Sequence, residues 1–136
     1  MYCTAPTRFS NENDSLVSVR APVGSVNIAL EKCCVGRGLA AVRHKSGSSS
    51  FTYYYLLSIE DIFKQFESEG TVFGAINKEG FQKIPFVVSP PDVVELFEKT
   101  VGDMDKQITT NEQQSRTLSA LRDTLLPKLL SGELEV

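Results

Sequence analysis

The first half of the chain alternates short β-type runs with turn residues. Residues 15–19 and 25–28 are rich in β-formers and flank residues 21–24, whose proline and glycine indicate a turn. Residues 39–43 predict a third strand. Residues 84–88 contain a proline and therefore predict a short edge strand. The pattern indicates a small sheet joined by loops.

Helical spacing replaces this alternation at Phe51. Apolar residues then recur every three or four positions, which predicts a helix with one buried face. The residues of that face are Tyr54, Leu57, Ile59, Ile62, Phe63 and Phe66. Residues 69–78, which contain two glycines, predict a loop.

The longest uninterrupted helical pattern follows two prolines. It starts with Asp92 and Glu95, whose spacing is the D-x-x-E signature of a helix start. From there to Pro127 only Gly102 disfavours a helix, so the pattern predicts a rod of roughly 50 Å. Apolar residues at heptad-like steps form one stripe along this helix, the seam, and Asn111 and Ser115 continue it as polar members. The predicted interface residues of the seam are Phe97, Val101, Met104, Ile108, Asn111, Leu118, Leu121, Leu125 and Leu129.

A preceding domain of about 90 residues cannot easily cover a rod of this length, so we expect a partner helix on the seam. Packing against the chain's own domain is the alternative. Pro127 is expected to kink or end the helix near residues 124–126. The predicted fold class is α+β. A strand-and-loop domain over residues 1–91 is followed by one long coiled-coil-type helix over residues 92–136.

Composition is that of one globular domain, with 136 residues, 41% of them hydrophobic. The net charge is −3, but residues 1–56 carry a net +3 and residues 92–136 a net −4. An anionic partner would therefore meet the first half of the chain. No apolar run is long enough to span a membrane, and the N-terminus lacks a signal-peptide pattern. Three cysteines favour a reducing cytoplasm as the location.

Residues with catalytic or metal-binding potential are few. His44 lies between Arg43 and Lys45, where an imidazolium is hard to form, so a phosphate-facing or solvated role is expected. Cys33 and Cys34 match no zinc-ligand spacing and are predicted to be packing residues. Glycines 36 and 38 belong to no phosphate-binding loop. We therefore expect neither an enzyme nor a metal or cofactor site.

Three stretches and the tail resemble one family. Residues 18–24 (SVRAPVG), 36–41 (GRGLAA) and 74–78 (GAINK) are similar to a target recognition domain. The tail, LRDTLLPKLLSGE over residues 121–133, is similar to the end of a conserved spacer helix. Both belong to the specificity subunit of type I restriction–modification enzymes.

The resemblance implies a non-catalytic protein that reads double-stranded DNA and docks the methyltransferase (modification) and restriction subunits. Specificity subunits carry two recognition domains, and we expect that this chain carries one and starts partway through it. Arg and Lys on loops then attract phosphates, and polar side chains read base edges. The candidate DNA-contacting residues are Arg20, Arg37, Arg43, Lys45, Thr71, Asn77 and Lys78.

Family members pair two long helices within one chain, and this chain has one. We therefore predict a two-fold homodimer through the seam, with a symmetric pair of DNA half-sites. The alternative function is a protein-interaction module that oligomerises through its helix without binding DNA by itself.

Overall fold

A computed structural model describes residue 5, residues 7–68 and residues 74–134 of the chain. The chain divides into two compact units, Met1–Gly102 and Asp103–Val136. Among the described residues, the first unit holds all five strands and the first turns of the last helix. The second unit is the rest of that helix and the residues that follow it.

Five short strands form two small antiparallel sheets. The strands are β1 (Phe9–Ser10), β2 (Ser15–Ser18), β3 (Val26–Ile28), β4 (Cys33–Cys34) and β5 (Leu39–Val42). The larger sheet has the order β3-β2-β5, and β1 pairs with β4. The three predicted strands of the first half are confirmed. The pattern of apolar and polar residues did not predict β1 and β4, because a two-residue strand is too short to show an alternation.

Burial alternates along the central strand β2, and its most buried apolar residue belongs to the hydrophobic core. Val17 is fully buried, while Leu16 and Ser18 are half-buried. Val17 packs in one cluster with Val23 and with residues from the helical half of the unit. The other buried members of that cluster are Leu56, Phe63 and Ile76. The core therefore joins the sheet to the helices that follow it.

Gly24 is the residue that lets the β2–β3 turn approach this core. Its φ of +86° is favourable only for glycine, and it is buried. A Cβ built at this position would lie 2.3 Å from Cβ of Phe63. The turn predicted from Pro22 and Gly24 is thus also a packing contact, since the backbone itself touches the phenylalanine.

Three helices complete the first half of the fold, namely α1 (Ser49–Ser58), α2 (Glu60–Ser68) and α3 (Lys78–Lys83). The predicted helical stretch is confirmed but breaks at Ile59, the C-cap of α1. Its predicted single buried face is wrong at Tyr54 and Leu57, which are 37% and 38% exposed. Leu56 takes the buried position instead.

Residues 84–88 form no strand, so the predicted edge strand is wrong. Ile84 is the C-cap of α3, and Pro85 has no N–H to offer to a neighbouring strand. The Tyr55 hydroxyl holds the segment instead, donating to the Pro85 carbonyl at 3.2 Å and accepting from the Val87 N–H at 3.0 Å. A side chain from α1 therefore satisfies backbone groups that a sheet would have paired.

The last helix, α4 (Pro91–Leu130), is 40 residues long and contains Pro127. Pro127 is expected to kink or end the helix near residues 124–126, and the expected end is wrong, because the helix continues to Leu130. The helix is closed at Gly132, whose φ is +75° and whose N–H bonds the Leu129 carbonyl, while the Glu133 N–H bonds the Lys128 carbonyl. This pair of bonds is a Schellman closure. The exposed helix surface leaves the carbonyl freed by Pro127 open to water, so the proline is tolerated.

Candidate nucleic-acid interface

A groove of about 500 Å³ brings three cationic side chains together. Arg8, Arg37 and Lys78 line it along with the amides of Asn77 and Gln82, and none of the described residues that line it is acidic. Its apolar floor is made largely by β5, with Ile76 and Phe81. We call these five polar residues and their floor the basic groove. A cluster of positive charges with no acidic side chain among its described neighbours attracts an anion.

Short backbone contacts hold the two arginines on adjacent segments. Arg37 lies in the turn between β4 and β5, where the Leu39 N–H donates to the Gly36 carbonyl at 3.3 Å. Arg8 directly precedes β1, and its carbonyl accepts from the Val35 N–H at 2.9 Å. Because β1 pairs with β4, the two arginines come close together although they are far apart in sequence.

The short helix α3 supplies the other polar side chains of the basic groove. Asn77 is its N-cap and accepts a hydrogen bond from the Gly80 N–H at 2.7 Å through Oδ1. Lys78 and Gln82 are four residues apart, so they project from the same face of the helix. Phe81, part of the groove floor, stacks on Phe63 of the core with ring centroids 6.2 Å apart. Packing of Phe81 in the core therefore orients Lys78 and Gln82 outward.

Only some of the predicted DNA-contacting residues lie in the basic groove. Arg37, Asn77 and Lys78 meet in the basic groove. Arg20 is exposed, pairs through its backbone with Ala75 and does not line the groove. Thr71 lies outside the described residues.

Arg43 is held in an ion pair with Asp14. Its Nε and Nη2 donate to the two carboxylate oxygens at 2.6 and 2.7 Å, and the Asn11 N–H adds a third bond at 2.7 Å. Asp14 is only 4% exposed, whereas the Arg43 side chain is 53% exposed. The guanidinium lowers the pKa of the Asp14 carboxyl, and the carboxylate raises the pKa of Arg43. Two of the three guanidinium nitrogens are thus engaged within the protein.

Lys45 lies with Arg43 and His44 at a second cavity, of about 490 Å³, whose lining is mainly apolar and aromatic. His44 packs edge-on against Phe51 at 5.8 Å, and its Nδ1 lies 2.7 Å from the Ser46 hydroxyl. Lys45 and Arg37 therefore do not line the same cavity.

Sequence reasoning missed Arg8 and Gln82. Arg8 carries no local signal, because its position depends on the two-residue pairing of β1 with β4. Gln82 would follow from its spacing to Lys78, but only once α3 is recognised as a helix. A six-residue helix with an internal glycine gives no periodic pattern, and its main local signal is the capping asparagine.

Some of the predicted interface residues of α4 pack against their own unit, and the others are exposed. Phe97 packs edge-on against Phe51 and Tyr54 of its own unit, with centroids 5.9 and 6.0 Å apart. Val101 is half-buried in the same unit, and Asn111 is exposed and accepts from the Gln107 amide at 3.3 Å. The remaining apolar seam residues are 40% to 66% exposed. They are Met104, Ile108, Leu118, Leu121, Leu125 and Leu129.

The cysteines do not both behave as packing residues. Cys33 is half-buried with its sulfur 3.0 Å from the Ser10 hydroxyl, but Cys34 is exposed, so the prediction is wrong for Cys34. Over residues 7–68 and 74–134, no three His, Cys, Asp or Glu side chains form a group suited to a metal ion. Within the same residues, no helix is both long and apolar enough to cross a bilayer.

Comparison with known proteins assigns this architecture to a family. Residues 6–120 match the model of the type I restriction modification DNA specificity domain. The chain belongs to this family, which confirms the assignment made from its motifs. The α+β fold class, with one long C-terminal helix, is confirmed as well.

The relatives are specificity subunits that are longer than this chain. A putative type I restriction enzyme MjaX specificity subunit from Methanocaldococcus jannaschii is 31% identical over 137 residues, covering 100% of this chain and 32% of the relative. The crystal structure of the HsdS subunit from Thermoanaerobacter tengcongensis matches with a TM-score of 0.60 and 29% identity, over 98% of this chain and 33% of that one.

A further chain, from a structure describing complex assembly and conformational transition of the type I R-M system, matches with a TM-score of 0.61 and 32% identity. That match covers 93% of this chain and 33% of the other. The chain therefore spans about a third of the length of the relatives it matches.

Proposed function

We propose that this chain recognises double-stranded DNA as part of a type I restriction–modification specificity subunit, without catalytic activity of its own. The observation that carries the proposal is the basic groove, where Arg8, Arg37 and Lys78 converge with no acidic neighbour among the described lining residues. Cationic side chains at such a surface bind phosphates, and each phosphate contact releases counterions. The family assignment supports DNA as the anion.

The proposed partners are the methyltransferase and restriction subunits that the family implies, with the cytoplasm as the location. The exposed apolar residues of α4 support a protein-docking role for this helix. We further propose that the same residues pair with a second copy of the chain. The predicted roles of Arg20, Lys45 and Thr71 in DNA binding remain proposals that the basic groove does not support directly.

The test of DNA recognition is the salt dependence of duplex binding. The triple variant R8A/R37A/K78A should bind duplex DNA more weakly, and the slope of log affinity against log salt should fall by about 2 to 3, roughly one unit for each lost phosphate contact. Fluorescence anisotropy between 50 and 300 mM salt gives both quantities.

The matched control is K99A/K106A/R116A, which removes the same number of cations from the acidic helix α4. It should keep the wild-type slope. Arg43 is left intact, since its loss would leave Asp14 buried without its partner. Equal slopes for the wild type and the groove variant would count against the basic groove as the DNA-binding surface. The chain would then be an interaction module without DNA binding of its own.

A further inference from the structure

Gln82 is one of two neutral amide side chains in the basic groove, and it is exposed. Where Arg8, Arg37 and Lys78 contact phosphates, these contacts carry no sequence information. A side-chain amide offers one donor and one acceptor side by side, a pattern that matches a base edge and not a phosphate. Gln82 therefore has the chemistry for base recognition.

The second amide of the basic groove is less suited to that role. Oδ1 of Asn77 already accepts from the Gly80 N–H at 2.7 Å, so using it for a base would uncap α3. The side-chain amide of Gln82 makes no hydrogen bond to any other residue that the structure describes. Among the two amides of the groove, it alone can present both its oxygen and its nitrogen to a ligand.

The helix α3 places Gln82 beside a phosphate-binding cation. Lys78 and Gln82 share one face of α3, and Phe81 anchors the helix in the core through Phe63. This arrangement fixes the amide next to a positive charge, and the packed Phe81 limits movement of the helix. The major groove of B-DNA is wide enough to admit a helix.

We propose that Gln82 reads sequence, its side-chain amide hydrogen-bonding N7 and N6 of an adenine in the major groove of bound duplex DNA. This inference rests on the proposed function and adds the residue that distinguishes one duplex from another. Bidentate pairing of glutamine with adenine is geometrically favourable and discriminates against other bases by about tenfold.

The test uses the whole chain and a pool of duplexes with randomised central base pairs. Bound duplexes are separated at 50 mM salt and sequenced, and affinity for the unselected pool is measured by anisotropy. The variant Q82A should bind the pool within about twofold of the wild type, because no phosphate contact is lost. It should lose about tenfold preference at one A·T pair and keep the preferences at other positions.

The control is Q113A, which removes an exposed glutamine from α4 and should leave every preference unchanged. A Q82A variant that selects the same bases as the wild type at every position overturns the role of Gln82 while DNA recognition stands. A wild-type chain that does not bind the pool overturns the proposed function and this inference together.

Discussion

Asp14 and Arg43 lie next to each other because each directly adjoins the end of the β2–β5 pairing, where Ser15 is opposite Val42. The buried carboxylate accepts bonds from both the guanidinium and the Asn11 N–H, so its charge is balanced where water is scarce. An arginine that sequence places in a basic surface therefore also contacts the end of the sheet through its ion pair with Asp14.

The variant D14N should show the contribution of this charge through its pH dependence. The pKa of Asp14 is lowered in the folded protein, mainly by the hydrogen bond from Arg43, so the unfolded chain binds the proton more tightly. The stabilisation is therefore complete above the ordinary carboxyl value of 3.8 and is lost as the pH falls through the lower folded-state value.

At pH 7 we expect D14N to be about 2 kcal/mol less stable than the wild type by urea denaturation. The difference should shrink steadily below pH 3.8. D61N is the control, because Asp61 is exposed and its pairing with Lys64 lies in water. A D14N deficit that stays constant down to the acid limit would show that shape, not charge, explains the effect.

At the scale of single residues, the sequence shows which residues are charged but not which of them the fold brings together. Arg37 and Lys78 were predicted as cations on loops, and the structure brings them together in the basic groove, with Lys78 at the start of α3. Arg8 and Gln82 could not be identified, since their positions depend on β1–β4 pairing and on a six-residue helix. Arg43 was identified for its charge, although no local pattern shows that its partner is 29 residues away.

Glu98 joins two helices that are distant in sequence. Its Oε1 accepts from the Ser49 N–H and hydroxyl and the Ser50 N–H at 3.2 to 3.3 Å, and its Oε2 accepts from the Phe51 N–H at 3.1 Å. The N-cap residue Ser48 makes no side-chain cap of its own. A carboxylate of α4 thus caps α1 and offsets the positive end of its dipole.

Replacing Glu98 with alanine should destabilise the chain by about 1 to 2 kcal/mol, because three backbone N–H groups of α1 lose their acceptor. E98Q, which keeps one acceptor oxygen but no charge, should lie between E98A and the wild type. The comparison is made by urea denaturation followed by circular dichroism, with E95A as control, since Glu95 is exposed one turn earlier on α4. Identical midpoints for E98A and E95A would exclude the cap as a source of stability.

Strands and helices could be predicted from the sequence where they are long enough to show a periodic spacing of apolar residues. The strands β2, β3 and β5 and the long helix follow from spacing, whereas β1, β4 and α3 are too short to show any. Local chemistry misled at Pro127, which suggested a helix end that the glycine closure at Gly132 sets instead. The cap that Glu98 provides could not be predicted from sequence, because only tertiary structure brings α1 to it.

On the scale of the whole molecule, charge and hydrophobicity are divided along the chain. Residues 1–56 carry the positive charge and residues 92–136 the negative charge. The basic groove lies in the first unit, and exposed leucines continue along the helix of the second. Composition gives this division of charge directly, because it does not depend on tertiary contacts. The residues that line the groove could not be predicted in the same way.

The exposed apolar residues of α4 lead to a prediction about assembly. Met104, Ile108, Leu118, Leu121 and Leu125 recur at heptad-like spacing and are 43% to 66% exposed, so a second helix would remove them from water. Burying each side chain contributes about 1.5 to 3 kcal/mol when burial is complete. A second copy offers the same face, so a two-fold antiparallel pair satisfies both helices at once.

We expect the wild type to have a solution mass of about 30 kDa by light scattering, twice the 15.0 kDa of one chain. L125D should shift this mass to that of the monomer, because pairing would bury an unpaired carboxylate. Q113D places the same charge on an exposed position outside the seam and should remain a dimer. A dimer that survives L125D would place the interface on another surface. A wild type that stays monomeric at all concentrations would mean that the helix needs a different partner, such as the second spacer helix of a full-length specificity subunit.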